Sequence, residues 1–376
     1  MGVWFAYLGG RMTEGYVADF SLALINRTGA YYVCRDLVRG LPDHFSAIRY
    51  WRFFRRSEPD GLIRKVLGRA MLMELRRLAQ GDRWRKSMSS HGDCKPTVYL
   101  DPLYVLGNDL SSADVVLCHD VGPITHPRLY DAGTVALYGS AYGKIRQARP
   151  GMVFVSYASL LEFVQLYGRD YPFMRVIPLY VRNDLGRGDD RRPKDVEGRF
   201  LLTVAALETR KNLNRCIEAF IQSGLREQGY TYILCGPRGN AAKEITELVD
   251  ATPGVNLLGY LPDNELRWLY RNAAGFVLPS LLEGFGLPAL EAGAYGLVPL
   301  VSQSSAQTEA VGEGAVSVDP LSVASIADGM VRLVTMDPDE REQRLVQIRR
   351  QIDMLTLDRF LQRWSQLLET RGVDGG

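Results

Sequence analysis

Short apolar runs alternate along this chain with stretches whose apolar residues recur at helical spacing, on both sides of one polar segment. That alternation constrains the fold more than any other feature. Parallel strands need a crossover between them, and a helix is the usual crossover, so the pattern predicts parallel sheets covered on both faces. In the first half, Val3 to Leu8 reads as a strand, followed by a glycine-containing loop through Gly15 and a helix from Tyr16 to Ile25. Asp114 to Cys118 and Met152 to Ser156 read as buried strands, the second leading into a helix from Ala158 to Tyr167, and Val176 to Tyr180 closes this half. Arg182 to Arg199 is dense in charge and glycine, as expected of an exposed linker. Beyond it come strands at Phe200 to Val204, Tyr230 to Cys235, Val255 to Leu258, Gly275 to Leu278 and Val298 to Val301, with helices at Asn212 to Phe220 and Glu265 to Tyr270. The expected division is a first domain over 1–181, a linker over 182–199, a second domain over 200–355 and a closing helix over 356–376, capped by Thr356.

A chain of 376 residues comfortably holds two cores of that kind. Its 45 basic and 43 acidic residues nearly cancel, which argues against a bulk nucleic-acid binder. Five cysteines, at 34, 94, 118, 216 and 235, form no CxxC pair and read as reduced and mostly buried, hence cytosolic. The opening residues lack the basic flank and length of a signal segment, and no apolar run approaches the ~20 residues that span a bilayer.

Ligands of such folds collect at the carboxyl ends of strands. One segment there is built to receive phosphate. After the strand ending at Leu278, Glu283 and Glu291 bracket the glycine-rich turn Gly284-Phe285-Gly286-Leu287-Pro288. The glycines let the backbone bend close to a ligand, and Pro288 suits the first turn of a helix. Unpaired N–H groups and the helix dipole then favour an anion. Glu291 falls in the expected first turn, where the residue alone reads equally as a dipole-favoured surface acid.

The run E-G-F-G-L-P-A-L-E-A resembles the Glu-x7-Glu signature of retaining glycosyltransferases of family 4, which have the two-domain GT-B architecture. That resemblance implies two Rossmann-like α/β domains facing a cleft, with the last helix crossing back to the N-terminal domain. It assigns Glu283 to the donor sugar's hydroxyls and Glu291 to the nucleotide ribose. Phe285, Gly286 and Leu287 would meet the diphosphate and hexose through their amides, and Gly10 and Gly236 join the donor-binding set.

A second motif, Leu207-Glu208-Thr209-Arg210-Lys211-Asn212, follows the first strand of the second half. Two adjacent cations there can neutralise a departing diphosphate or simply form a solvated basic loop. The family carries a similar L-E-x-R-K-N segment, which assigns Arg210 and Lys211 to the leaving diphosphate. Many members have an arginine directly after the strand, where this chain has Ala205-Ala206. A third feature, His119-Asp120 at the end of a buried strand, resembles the I-H-D segment of mannosyltransferase-like members. His119 would bind hydroxyls at the reaction centre, and Asp120 would orient it or receive the acceptor's proton. The resemblance further implies front-face substitution on a nucleoside-diphosphate sugar, with GDP-mannose or a GDP-deoxyhexose ahead of UDP- or dTDP-sugars. The same fold also serves sugar-nucleotide epimerases and phosphorylases, and a catalytically dead scaffold is the non-enzyme alternative.

No metal and no cofactor is expected. Asp337-Pro338-Asp339 has a D-x-D spelling but precedes a charged helix, where it reads as a cap, and His44, His91 and His126 show no metal-ligand spacing with the cysteines. Between Arg49 and Lys86, aromatic Trp51, Phe53 and Phe54 interleave with Arg49, Arg52, Arg55 and Arg56. Such a stretch suits an anionic membrane surface, or a helix pair that packs its apolar residues inward and lets its arginines snorkel. On the first reading the enzyme extends a lipid-linked oligosaccharide or other glycan at the cytoplasmic face of the membrane.

Overall fold

The computed structural model describes residues 15–25, 29–55, 57–79, 95–182, 188–303 and 305–373. The expected strand at Val3 to Leu8, together with Gly10, Arg56, His91 and Cys94, lies outside them. Two parallel sheets stand on either side of the polar segment. The first comprises β1 (Tyr16–Asp19), β2 (Phe45–Tyr50), β3 (Phe53–Phe54), β4 (Thr97–Tyr99), β5 (Val115–Cys118), β6 (Gly151–Phe154) and β7 (Met174–Val176), in the order β3-β2-β1-β4-β5-β6-β7. Only β3 runs antiparallel to its neighbour among the described strands. The second comprises β8 (Arg199–Val204), β9 (Tyr230–Cys235), β10 (Val255–Leu257), β11 (Gly275–Leu278), β12 (Pro299–Ser302) and β13 (Val316–Val318), in the order β10-β9-β8-β11-β12-β13. Both orders reverse once, between β1 and β4 and between β8 and β11. A ligand crevice forms outside the carboxyl ends of the strands at such reversals.

One expectation fails at β1. Tyr16 to Asp19 pairs with both β2 and β4 at the centre of the first sheet, where a helix was expected, and only Ser21–Leu24 makes a short 3-10 turn. A strand buried on both faces carries no alternation, so a short apolar run there cannot be told from a buried helix by periodicity. The expected strand at Val176 to Tyr180 is likewise shifted, since pairing covers Met174–Val176.

Arg49 is a second correction. It sits on β2 and donates from Nε to Asp19 at 2.9 Å, with its side chain only 13% exposed, so it belongs to the interior and not to a surface patch. Trp51 is half-buried, its indole Nε1–H donating to Glu74 at 2.5 Å. Arg52, Phe53, Phe54 and Arg55 do face solvent. The following helix, Gly61–Ala79, continues the exposed surface with Leu62, Ile63 and Val66.

The polar segment is less free than its composition implies. Asp190 pairs with Arg267 at 3.1 Å and Arg271 at 2.7 Å on the helix Asp263–Asn272, while Val196 is buried. The last helix, Leu357–Val373, packs onto the first half of the chain, placing Phe360 5.0 Å from the ring of Tyr180 and Leu361 against Gly40. Thr356 accepts from Arg359 N, capping its first turn. Asp337 caps the helix Pro338–Met354 by accepting from Asp339 N at 2.8 Å. Cys34, Cys118, Cys216 and Cys235 are free and buried, and burial pushes each thiol up, Cys216 and Cys235 to about 12. Among the described residues no helix is long and apolar enough to cross a membrane.

Candidate active site

A cleft of about 570 Å³ opens between the two sheets. From the second half it is lined by Arg210, Lys211, Gly236 and the turn from Glu283 to Pro288, with Glu291 beneath. From the first half come Asp101, His119, Asp120, Tyr130 and Tyr138. The residues singled out from three separate motifs therefore share one cavity, and the exposed aromatic and basic residues around Phe53 and Phe54 stand outside it.

The turn owes its shape to two glycines. A Cβ on Gly284 would lie 2.2 Å from the carbonyl oxygen of His119, so only glycine allows the two halves of the cleft to approach this closely here. Gly286 has φ +100°, in the left-handed region, and caps the helix Leu287–Ala294 with Pro288 in its first turn. Since the helix starts at Leu287, Glu291 lies one turn further in than expected. It is 7% exposed and accepts from the Tyr270 hydroxyl at 3.1 Å, which makes it a buried acid facing the cavity floor and not a surface acid.

Charge concentrates at the carboxyl ends of β8 and β11. Glu283 accepts from Lys211 Nζ at 2.5 Å, from Arg210 Nη1 at 3.2 Å and from Ser280 Oγ at 3.0 Å. Arg210 also pairs with Glu208 at 2.7 Å. Burial opposes the ionisation of Glu283, yet the Lys211 and Arg210 charges hold its carboxyl below the usual carboxylate range. Burial also pushes Lys211 down, with Arg210 adding to it and Glu283 opposing. Arg210 is raised, since Glu283 and Glu208 outweigh its desolvation. A preorganised pair of cations, braced by one carboxylate, thus borders the turn whose amides lead into a helix N-terminus.

Across the cleft, His119 Nε2 lies 3.0 Å from the carbonyl oxygen of Leu100. A carbonyl only accepts, so Nε2 carries a proton and donates it to Leu100. Asp120 is turned into its own loop, where Oδ1 accepts from Gly122 N at 2.8 Å and its backbone carbonyl accepts from the Tyr142 hydroxyl at 2.7 Å.

Asp101 and Tyr138 escaped the sequence reading. Asp101 is buried, caps the 3-10 turn Pro102–Gly107, and accepts from the Tyr138 hydroxyl at 3.2 Å. Burial raises its carboxyl, and nearby His119 counteracts this in part. Its position at the end of an apolar strand and before Pro102 was the available signal, the same one that draws attention to His119. Among the described residues no group of three or more His, Cys, Asp or Glu side chains is placed to hold a metal ion.

Residues 188–351 match the protein family described as glycosyl transferases group 1. The chain is 28% identical over 256 residues to O-antigen chain mannosyltransferase B of Escherichia coli, covering 62% of this chain and 64% of that protein. It is also 28% identical over 209 residues to O-antigen chain mannosyltransferase RfbU of Salmonella typhimurium, covering 54% and 56%. The matches thus span under two thirds of the length of these curated relatives. In fold the chain is similar to Anabaena Alr3699/HepE, solved with UDP and glucose, at a TM-score of 0.67 and 14% identity over 95% of this chain and 100% of that one. Trehalose-6-phosphate synthase of E. coli, bound with UDP-2-fluoro glucose, superposes with a TM-score of 0.59 at 14% identity, over 93% and 85%. The two-sheet architecture is GT-B.

Proposed function

We propose that this chain, a GT-B protein whose second half is a mannosyltransferase-like group 1 glycosyl transferase domain, moves a hexose from a nucleoside-diphosphate sugar to a glycan acceptor in polysaccharide synthesis. The observation that carries this reading is the cluster of Lys211, Arg210 and Glu283 beside the glycine turn, facing His119 across one cleft. The diphosphate would lie against the turn's amides and the two cations, with Glu291 on the ribose. Glu283 and His119 would hold the sugar's hydroxyls. Transfer would retain configuration. The acceptor oxygen bonds to the anomeric carbon on the face from which the phosphate leaves, and a phosphate oxygen takes the acceptor's proton. As the anomeric bond breaks, negative charge grows on the phosphate, and Lys211 and Arg210 stabilise it there. The names of the O-antigen relatives favour mannose as the sugar moved, and the likeness of the His119-Asp120 segment to mannosyltransferase-like members favours GDP as its carrier.

The cations serve the diphosphate in place of a divalent ion on this reading, so activity is expected to survive excess EDTA. Complete loss, restored only by magnesium or manganese, would contradict it. A lipid-linked acceptor at the cytoplasmic face of the membrane fits the exposed Phe53, Phe54, Leu62, Ile63 and Val66 with Arg52 and Arg55 beside them. Arg49 is committed to Asp19, whereas Arg55 faces solvent and Arg52, though it pairs with Glu74, keeps its side chain 62% exposed. At about 1 kcal/mol for each basic residue, replacing Arg52 and Arg55 with Ser is expected to weaken binding to anionic vesicles by about 2 kcal/mol before screening. Co-sedimentation of a variant shown by circular dichroism to be folded checks this, and unchanged pelleting would remove the membrane role alone.

A further inference from the structure

Glu309 lies in the second half of the chain, on the short helix Ala306–Val311 between β12 and β13, yet its partners are in the first half. Oε2 accepts from Tyr157 N and Oε1 from Ala158 N, each at 2.7 Å. Those are the first two residues of the helix Tyr157–Tyr167 that follows β6. The first N–H groups of a helix have no intrahelical partner, and the dipole favours an anion beside them. Ser156 caps the same helix from within by accepting from Ser159 N at 3.1 Å. One helix end is thus satisfied jointly by its own cap and by a carboxylate from the other side of the cleft.

The next residue connects this contact to the site. Ser159 Oγ lies 3.2 Å from the carbonyl oxygen of His119 and 3.5 Å from that of Gly284. On the other side, Gln307 donates from Nε2 to Leu278 O at 2.8 Å, tying the helix that carries Glu309 to the strand leading into the glycine turn. Gln351 holds the carbonyl oxygen of Glu309 at 2.7 Å. Both ends of the contact are therefore anchored to elements that bear site residues.

We propose that Glu309 is a positioning residue, a latch that holds the donor half against the acceptor half and sets the approach of the glycine turn to His119. The effect on catalysis rests on the glycosyl-transfer reading, whereas the latch itself does not. Its chemistry makes the test specific. A carboxylate accepts from two N–H groups at once, but in Glu309→Gln the amide nitrogen would face one of those donors. Glutamine should therefore fail nearly as badly as Glu309→Ala, although it keeps the volume. The opposite partner can be removed too. Tyr157 occupies the first helical position, where proline is tolerated, and Ser156 is already extended at φ −150° and ψ 159°, as the residue before a proline must be.

Hydrogen exchange followed by mass spectrometry on the whole protein, over the segment from Tyr157 to Ser159 and over the glycine turn, reads the latch without turnover. Glu309→Ala and Glu309→Gln are expected to speed exchange at Ala158 about tenfold, in line with loss of a helix cap, while Glu309→Asp is partly protected. Nucleoside diphosphate affinity by calorimetry should stay within about twofold of wild type, because the residues facing the donor are untouched, while kcat falls about tenfold. Tyr157→Pro should lower kcat in the wild-type background and have no further effect in Glu309→Gln. Unchanged exchange in Glu309→Ala, or wild-type exchange in Glu309→Gln, would overturn the latch. Altered exchange with unchanged kcat would overturn its role in positioning. A wild-type protein without turnover on any sugar nucleotide would count against the proposed function and leave the exchange result standing.

Discussion

Replacing Lys211 with Ala is expected to lower kcat by on the order of a hundredfold or more, with a much smaller change in KM for the donor. The ammonium sits 2.5 Å from Glu283 at the carboxyl end of β8, so its position is set before any donor arrives. Charge on the leaving phosphate grows as the anomeric bond breaks, and a preorganised cation gains most in that state. Arg210 and Ser280 continue to satisfy Glu283 when Lys211 is removed, so the variant should remain folded. Glu291→Ala should divide the other way, weakening nucleotide binding by about ten- to a hundredfold through loss of a charged hydrogen-bond acceptor, with a lesser effect on kcat. Steady-state kinetics on both variants check this. Near-wild-type turnover for Lys211→Ala would remove it from the chemistry.

Glu283→Gln is expected to cost stability as well as activity. It leaves the buried Lys211 without its partner carboxylate, beside an Arg210 then held by Glu208 alone, a loss of about 3–5 kcal/mol for a broken buried pair. The pH dependence has a definite sign. The folded carboxyl is held below its unfolded value of about 4.3, so its contribution is present above that pH and is lost as pH falls through the folded value. Denaturant titrations should therefore show the largest gap between wild type and Glu283→Gln near neutrality, narrowing as the solution becomes more acid than about pH 4. A gap independent of pH would mean that the pair is not ionised.

The second half of the chain was the more legible from its residues. Tyr230 to Cys235 is an apolar run stopped by Gly236-Pro237, and Gly275 to Leu278 is stopped by Pro279, so strand ends coincide with residues that cannot extend a strand. The first half offers fewer such stops, and Tyr16 to Asp19 was misread because a four-residue, largely buried strand has no period to detect. Arg49 shows a related limit. Its charged and aromatic neighbours suggested a surface, but the partner that draws it inward, Asp19, is remote in sequence. The Glu283, Glu291 and Lys211 cluster was legible because glycine, proline and charge fall together at one strand end. Glu309 was not, since nothing local marks a carboxylate whose partners are backbone N–H groups of another helix.

Calorimetric titration of the wild-type protein and Glu291→Ala with GDP, UDP, dTDP and ADP, in the presence of EDTA, tests the donor site most directly. One nucleoside diphosphate, GDP for a mannosyl donor, is expected to bind with one-to-one stoichiometry and to lose about tenfold or more of its affinity in Glu291→Ala. Failure of all four to bind the folded wild-type protein, or equal affinity in the variant, would contradict a sugar-nucleotide site at the glycine turn.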